Sequence, residues 1–189
     1  AARYRVTVIS DEIHCDVMRP GTRHVPFAAA SDTCRAISVT LGSPSKAFNI
    51  AGLQSAYAIA DDLLIRQRVE RGFNNDEIAE PNDFAIAGTV AAYDEPWLDA
   101  VCAYLFENAN YARDAINRAE IGVHALDCDA TYLLWLDCLD LLAARDGASV
   151  AELVGFLRTR TGLILSSGDI YGAGGEGFIR MNLGTQRSR

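Results

Sequence analysis

Lysine is almost missing from this chain. Of its 17 lysine and arginine residues, Lys46 is the only lysine. Arginine keeps its proton in a protein, so none of the other basic side chains can act as an amine nucleophile or form a Schiff base. Positive charge is scarce as well. A formal net charge of -8 and a pI near 4.8 argue against nucleic acid and anionic membrane surfaces as partners. No apolar run approaches the length of a membrane span, and the first residues lack the basic or serine-rich pattern of a targeting segment. The five cysteines (Cys15, Cys34, Cys102, Cys128, Cys138) are odd in number and scattered, with no CxxC. That excludes a sequence-evident zinc site or disulfide frame and reads as reduced thiols in a cytoplasmic protein. There is no internal repeat and no low-complexity segment.

Half of the 189 residues are apolar, enough for one large domain or two small ones with a sizeable core. The apolar patterning alternates between strand and helix signals, the mark of an α/β protein. Strands are predicted at Arg5–Ser10, Ala36–Leu41 and Ala56–Ala60, and helices at Asp61–Arg71 and Asn82–Tyr93. A long helix is predicted from Pro96, a favourable first helical residue, with a packing stripe of Trp97, Val101, Tyr104, Leu105, Asn108 and Ala112. Beyond it the order becomes strand "YLLWLDC", helix "SVAELVGFLRTR", strand "LILSS", a glycine loop and strand "FIRMNL". This block reads as a small α+β domain. The expected division is 1–106 and 107–189. Because "RVTVIS" begins a strand almost at once, the chain is expected to be the C-terminal part of a longer protein.

Three stretches could carry chemistry. "GAGGEG", Gly172 to Gly177, matches GxGxxG in letters. A dinucleotide fingerprint needs a helix after it to receive the pyrophosphate, and here the strand run "FIRMNL" follows, so the loop reads as a flexible turn. "SDEIHCD", residues 10 to 16, places His14, Cys15 and Asp16 in succession. Consecutive residues cannot converge on one metal ion, and neighbours on an extended strand point to opposite faces, which also excludes a Cys15–His14 nucleophile pair. Asp11 at a strand's carboxyl edge stands where α/β sheets place ligand-binding groups. "TLGSPSKAFNIAG" holds Lys46. A lone lysine is also what an arginine-preferring composition leaves by chance, so its neighbours must decide. Taken together, Asp11, Lys46 and Arg180 have a chemical logic. A lysine can form an imine with the aldehyde of pyridoxal phosphate, a carboxylate can keep the pyridine nitrogen protonated, and a guanidinium can grip an amino-acid carboxylate.

"SDEIH", "SPSKAFNIAGL" and "GEGFIRMN" resemble three successive motifs of the fold-type I pyridoxal-phosphate enzymes, the class I and II aminotransferase superfamily. The resemblance covers essentially the whole chain. "AAYDEPWLDAVCAYLFENANY" and "TYLLWLDC" are similar to the cystathionine β-lyase branch, the MalY/PatB type of carbon–sulfur lyase. The implied fold is the remainder of a large α/β/α cofactor domain followed by a small α+β domain. The implied cofactor is pyridoxal 5'-phosphate. Lys46 is implied as the imine lysine, Asp11 as the partner of the pyridine nitrogen and His14 as donor to the ring's phenolic oxygen, where many aminotransferases use tyrosine. Ser43 and Ser45 are implied to hold the phosphate, and Arg180 the substrate α-carboxylate.

Gln54 departs from the aminotransferases, which commonly carry a phosphate-binding arginine there; glutamine suits the lyase branch. The family's phosphate-cradling glycine turn, ring-stacking aromatic and asparagine lie in an N-terminal half that this sequence does not include. The resemblance implies a homodimer acting on a small sulfur-containing amino acid, split to thiol, pyruvate and ammonia. Transamination by the same residues is the competing enzymatic reading, and a non-catalytic fragment or regulatory module the non-enzymatic one. Trp97, Trp135, His24 and the cysteines are expected to be structural.

Overall fold

The computed structural model describes residues 1–94, 96–145 and 148–188. The chain divides into two compact units, Ala1–Cys102 and Ala103–Arg189. Among the described residues no helix is long and apolar enough to cross a membrane.

The first unit is built on a three-stranded sheet of β1 (Val8–Asp11), β2 (Ser38–Gly42) and β3 (Tyr57–Ile59) in that order. β1 and β2 run parallel, with Val8 opposite Ser38 and Asp11 opposite Leu41. β3 is antiparallel to β2, so the sheet is mixed. The first strand was expected over Arg5–Ser10 but starts later. Ala2–Tyr4 form a single 3-10 turn closed by Arg5 in the left-handed region at φ 53, which redirects the chain before pairing begins. This makes Asp11 the last residue of β1 instead of the first beyond it.

Helix α1 (Asp32–Ala36), which the sequence pattern did not suggest, is capped by the Ser31 hydroxyl accepting from the Cys34 N–H and delays the second strand to Ser38. Helix α2 (Leu63–Asn75) begins where the Asp62 carboxylate accepts from the Ile65 N–H at 2.9 Å. Such a cap is worth about 1 kcal/mol. Helix α3 (Asp83–Asp94) follows, with the Asn82 side chain accepting from the N–H groups of Phe84 and Ala85.

Helix α4 (Trp97–Arg118) has the expected extent, and of the expected stripe Leu105 and Asn108 are buried and Val101 and Ala112 half-buried. Its most buried residues are Cys102, Leu105, Phe106, Asn108 and Ala109, whereas Trp97 and Tyr104 are exposed. The aromatic stripe therefore lies beside the packed face instead of at its centre.

The second unit carries a four-stranded antiparallel sheet in the order β4 (His124–Ala125), β5 (Leu133–Asp137), β7 (Phe178–Asn182), β6 (Ser166–Ser167). Strand alternation sends Leu134, Leu136 and Ile179 to one face, where they pack with Ala109, Val123 and Val150. Full burial of Leu134 or Ile179 contributes about 1.5–3 kcal/mol each. A short helix α5 (Leu139–Ala143) follows β5. Helix α6 (Val150–Thr161) starts at a reciprocal capping box between Ser149 and Glu152 and stops at Gly162, φ 77. Of "LILSS" only Ser166–Ser167 joins the sheet. Ile164 is 80% exposed, so the apolar letters there do not mark a packed strand.

The other face of this sheet bears Leu133, Trp135, Phe178 and Arg180, all half-buried. Trp135, expected to be structural, packs on this face against Tyr171 and Phe178.

Candidate active site

Because β1 and β2 are parallel, their carboxyl ends share one edge of the sheet. Asp11 ends β1, and the ladder continues through the Glu12 N–H donating to Leu41 C=O at 2.9 Å. Gly42 ends β2, and the next four residues carry Ser43, Ser45 and Lys46 over the same edge. Lys46 is exposed, and among the described residues its amine has no hydrogen-bond or ion-pair partner. The turn that presents it is closed by the Phe48 N–H donating to Pro44 C=O and anchored by Ala47, which is buried. Asp11 is also exposed. One of its carboxylate oxygens accepts from the Ile13 N–H at 3.2 Å. His14 is half-buried within the turn that follows, its carbonyl accepting from the Val17 N–H.

The two serines are linked. Ser43 is buried and donates its single hydroxyl proton to Ser55 C=O, so at the 2.7 Å Ser43–Ser45 contact the Ser45 hydroxyl is the donor. The Ser45 N–H also points at the Ser43 hydroxyl, at 3.1 Å. Ser55 in turn accepts from the Thr89 hydroxyl at 2.9 Å, tying the turn to α3. The Tyr57 ring lies against Gly42 at the start of the turn, so a Cβ there would force the ring to move. Gln54 is exposed and closes a 3-10 turn in the left-handed region at φ 52.

Two polar groups to which the sequence reading gave no role hold the segment around this edge in place. Glu12 is buried, and its carboxylate accepts from the Ser10 hydroxyl (2.9 Å), the Phe27 N–H (2.9 Å) and His24 (2.8 Å). Burial alone would push this carboxyl up, but the three hydrogen bonds outweigh it and the net displacement is downward. Little in the local sequence distinguishes Glu12 from Asp11, since two of its three partners, His24 and Phe27, come from a loop further along the chain.

Asp16 is the second such group. It accepts from the Tyr93 hydroxyl at 2.9 Å and, through its backbone carbonyl, from the Cys102 thiol. Burial, then the Asp16 acceptor and charge, hold the Tyr93 phenol protonated far above its ordinary range. Burial and the neighbouring Asp16 charge likewise push the Cys15 thiol up to about 11, so Cys15 is a packed thiol and not a poised nucleophile. Phe48, two residues past the lysine, packs edge-on against Tyr93 at 4.8 Å and beside Trp97 at 5.9 Å.

Arg180 belongs to the second unit. It lies in the middle of β7, directly opposite Trp135 on one side and Ser166 on the other. Among the described residues its guanidinium has no ion-pair or hydrogen-bond partner. Its guanidinium carbon sits 4.4 Å from the centre of the Tyr171 ring. Asp11, His14, Ser43, Ser45 and Lys46 thus come together on one sheet edge of the first unit, and Arg180 is presented on the open sheet face of the second.

The sequence profile of the family described as Aminotransferase class I and II matches residues 1–188. Cystathionine beta-lyase PatB of Bacillus subtilis is 41% identical over 95% of the chain. The crystal structure of the PLP-bound C-S lyase from Staphylococcus hominis superposes with a TM-score of 0.83 at 31% identity, over 97% of the chain. That of cystalysin from Treponema denticola, which contains pyridoxal 5'-phosphate, gives 0.87 at 27% identity over 96%. The chain spans about half the length of these proteins: 46%, 46% and 45% respectively.

Proposed function

The chain belongs to the class I and II aminotransferase family, and from that premise we propose that it forms part of a pyridoxal-phosphate-dependent carbon–sulfur β-lyase. The observation that carries the proposal is the presentation of the chain's only lysine, exposed and without a partner among the described residues, on the sheet edge that also carries Asp11. The likeness to a cystathionine β-lyase and to a C–S lyase supports the lyase over a transaminase.

The donor set fits the cofactor. The Lys46 amine is free to hold it covalently. Asp11 keeps acceptor capacity beyond the Ile13 N–H for a protonated ring nitrogen. His14, on the turn just past Asp11, would be the donor to the phenolic oxygen. Ser45 would hold the phosphate with its hydroxyl, and Ser43, bonded to Ser55 C=O and Ser45, would support it from the same turn. Bound there, pyridoxal phosphate supplies an electron sink that acidifies the substrate Cα–H bond.

Lys46 would take the Cα proton of the substrate as general base. Arg180 grips the α-carboxylate in a doubly donating pair and fixes which Cα bond faces the base. The sulfur leaves from Cβ as a thiol, and the remaining three-carbon fragment ends as pyruvate and ammonia after hydrolysis. In domain terms, 1–106 is the C-terminal part of the large cofactor domain and 107–189 the small domain, in a homodimer.

The test is the stoichiometry of the intact enzyme on cystathionine. Free thiol and pyruvate are expected in equal amounts without an added keto acid. Turnover that stops unless a keto acid is supplied identifies a transaminase instead.

A further inference from the structure

Half-buried arginines are ordinarily held by carboxylates or carbonyls; Arg180 is held by an aromatic ring. Its guanidinium lies over Tyr171 at 4.4 Å. Tyr171 also packs against the Trp135 ring in an edge-to-face arrangement at 5.8 Å and 83°, and Trp135 is braced by Phe178 at 6.1 Å. From these contacts we infer that Tyr171 is a positioning residue for Arg180, holding the guanidinium in place for a substrate carboxylate without using any of its hydrogen-bond donors. The inference rests on the reading of Arg180 as the carboxylate-binding residue.

The chemistry favours this arrangement. An aspartate or glutamate partner would also fix the side chain, but it would neutralise the charge and occupy the planar fork that a substrate carboxylate needs. A cation–π contact engages the face of the guanidinium and leaves all five N–H groups for the incoming anion. It also removes part of the rotamer freedom that a free arginine would lose on binding, and that ordering cost otherwise falls on substrate affinity.

The glycine loop, which has no dinucleotide role, has one here. Tyr171 ends the 3-10 turn Gly168–Tyr171, and the next residue, Gly172, adopts φ 119 and ψ 177, a conformation essentially confined to glycine. Gly168 and Gly175 approach so closely that a Cβ on Gly175 would overlap the Gly168 carbonyl. A Cβ on Gly168 would meet Trp135 at 2.9 Å. The glycines let the loop fold tightly against Trp135 and so set where the Tyr171 ring lies. Tyr171 is 45% exposed and belongs to no core cluster, so its replacement leaves the fold intact.

The experiment uses the intact, cofactor-loaded enzyme with cystathionine as substrate. Tyr171→Leu, which removes the ring face, is expected to raise KM about 5- to 30-fold with kcat changed by less than about threefold, the size of a partly desolvated cation–π contact. Tyr171→Phe, which keeps the face, is expected to restore KM to within about twofold of the parent. In an Arg180→Ala background, Tyr171→Leu should add less than about a twofold effect, since the two residues act as one unit.

A readout without turnover accompanies these. The side-chain Nε–H resonance of Arg180, identified by its loss in Arg180→Ala, should be shifted by the Tyr171 ring current, keep that shift in Tyr171→Phe and lose it in Tyr171→Leu. An Arg180→Ala enzyme with unchanged KM overturns the carboxylate reading and the inference with it. A raised KM in Arg180→Ala but not in Tyr171→Leu overturns the inference alone. So does a Tyr171→Leu penalty of equal size in both backgrounds, or an Arg180 resonance indifferent to the ring.

Discussion

Replacing Glu12 by alanine removes the acceptor shared by Ser10, His24 and the Phe27 N–H, at a site only 8% exposed. The three donors do not suffer equally. The Ser10 hydroxyl can rotate, and the His24 side chain, 33% exposed, can turn to water. The Phe27 N–H is fixed by the backbone. An unsatisfied buried donor costs about 1–3 kcal/mol, and a hydrogen bond to a charged group contributes about 1.5–3 kcal/mol. Glu12→Ala should therefore destabilise by about 2–4 kcal/mol in urea unfolding of the intact protein. Glu12→Gln, whose amide oxygen can still accept from Ser10 and Phe27, should cost about 1 kcal/mol.

The pH dependence follows from the direction of the Glu12 displacement. Its folded-state pKa is lowered from the model-compound value of 4.5, so the unfolded chain binds the proton more readily. The stabilisation is complete above the ordinary carboxylate range and is lost as pH falls below 4.5 through the lowered folded value. Wild type should thus lose stability more steeply in acid than Glu12→Gln. Equal acid slopes in the two proteins, or a Glu12→Ala protein within about 0.5 kcal/mol of wild type, would refute the account of a buried carboxylate anchoring this sheet edge.

Two further outcomes are expected. Borohydride treatment of the cofactor-loaded enzyme should fix the label on the peptide containing Ser45 and Lys46, and Lys46→Arg should abolish it while keeping the charge; label on any other peptide sinks the lysine assignment. Gly175→Ala should destabilise by more than about 3 kcal/mol, because its Cβ would press on the Gly168 backbone and neither segment can yield without moving Trp135. A near-wild-type melting temperature for that variant would mean the loop does not hold the close approach described.

Much of this protein is written in local sequence codes. Asp62 and Ser149 announce helices α2 and α6 because a capping side chain reaches N–H groups only two or three residues away. The run "FIRMNL" after the glycine loop ruled out a dinucleotide site, because the missing element is adjacent in the chain. Lys46 stood out because the chain contains no other lysine.

What the sequence left open depends on partners distant along the chain. Leu163 to Leu165 are apolar letters that make no strand, and the expected stripe of α4 is packed at Leu105 and Asn108 but not at Trp97 and Tyr104, because periodicity gives a stripe's width better than its centre. Glu12 and Asp11 are adjacent acids with opposite fates. The 24–27 loop closes over one and leaves the other exposed on the sheet edge. Tyr93 reaches Asp16 across 77 residues. Tyr171 meets Arg180 only because the glycine loop and β7 fold back onto the Trp135 face. Backbone capping and side-chain identity act over one turn of chain and so can be read in order, whereas burial and ring contacts are set by what the fold brings alongside, which only the tertiary structure decides.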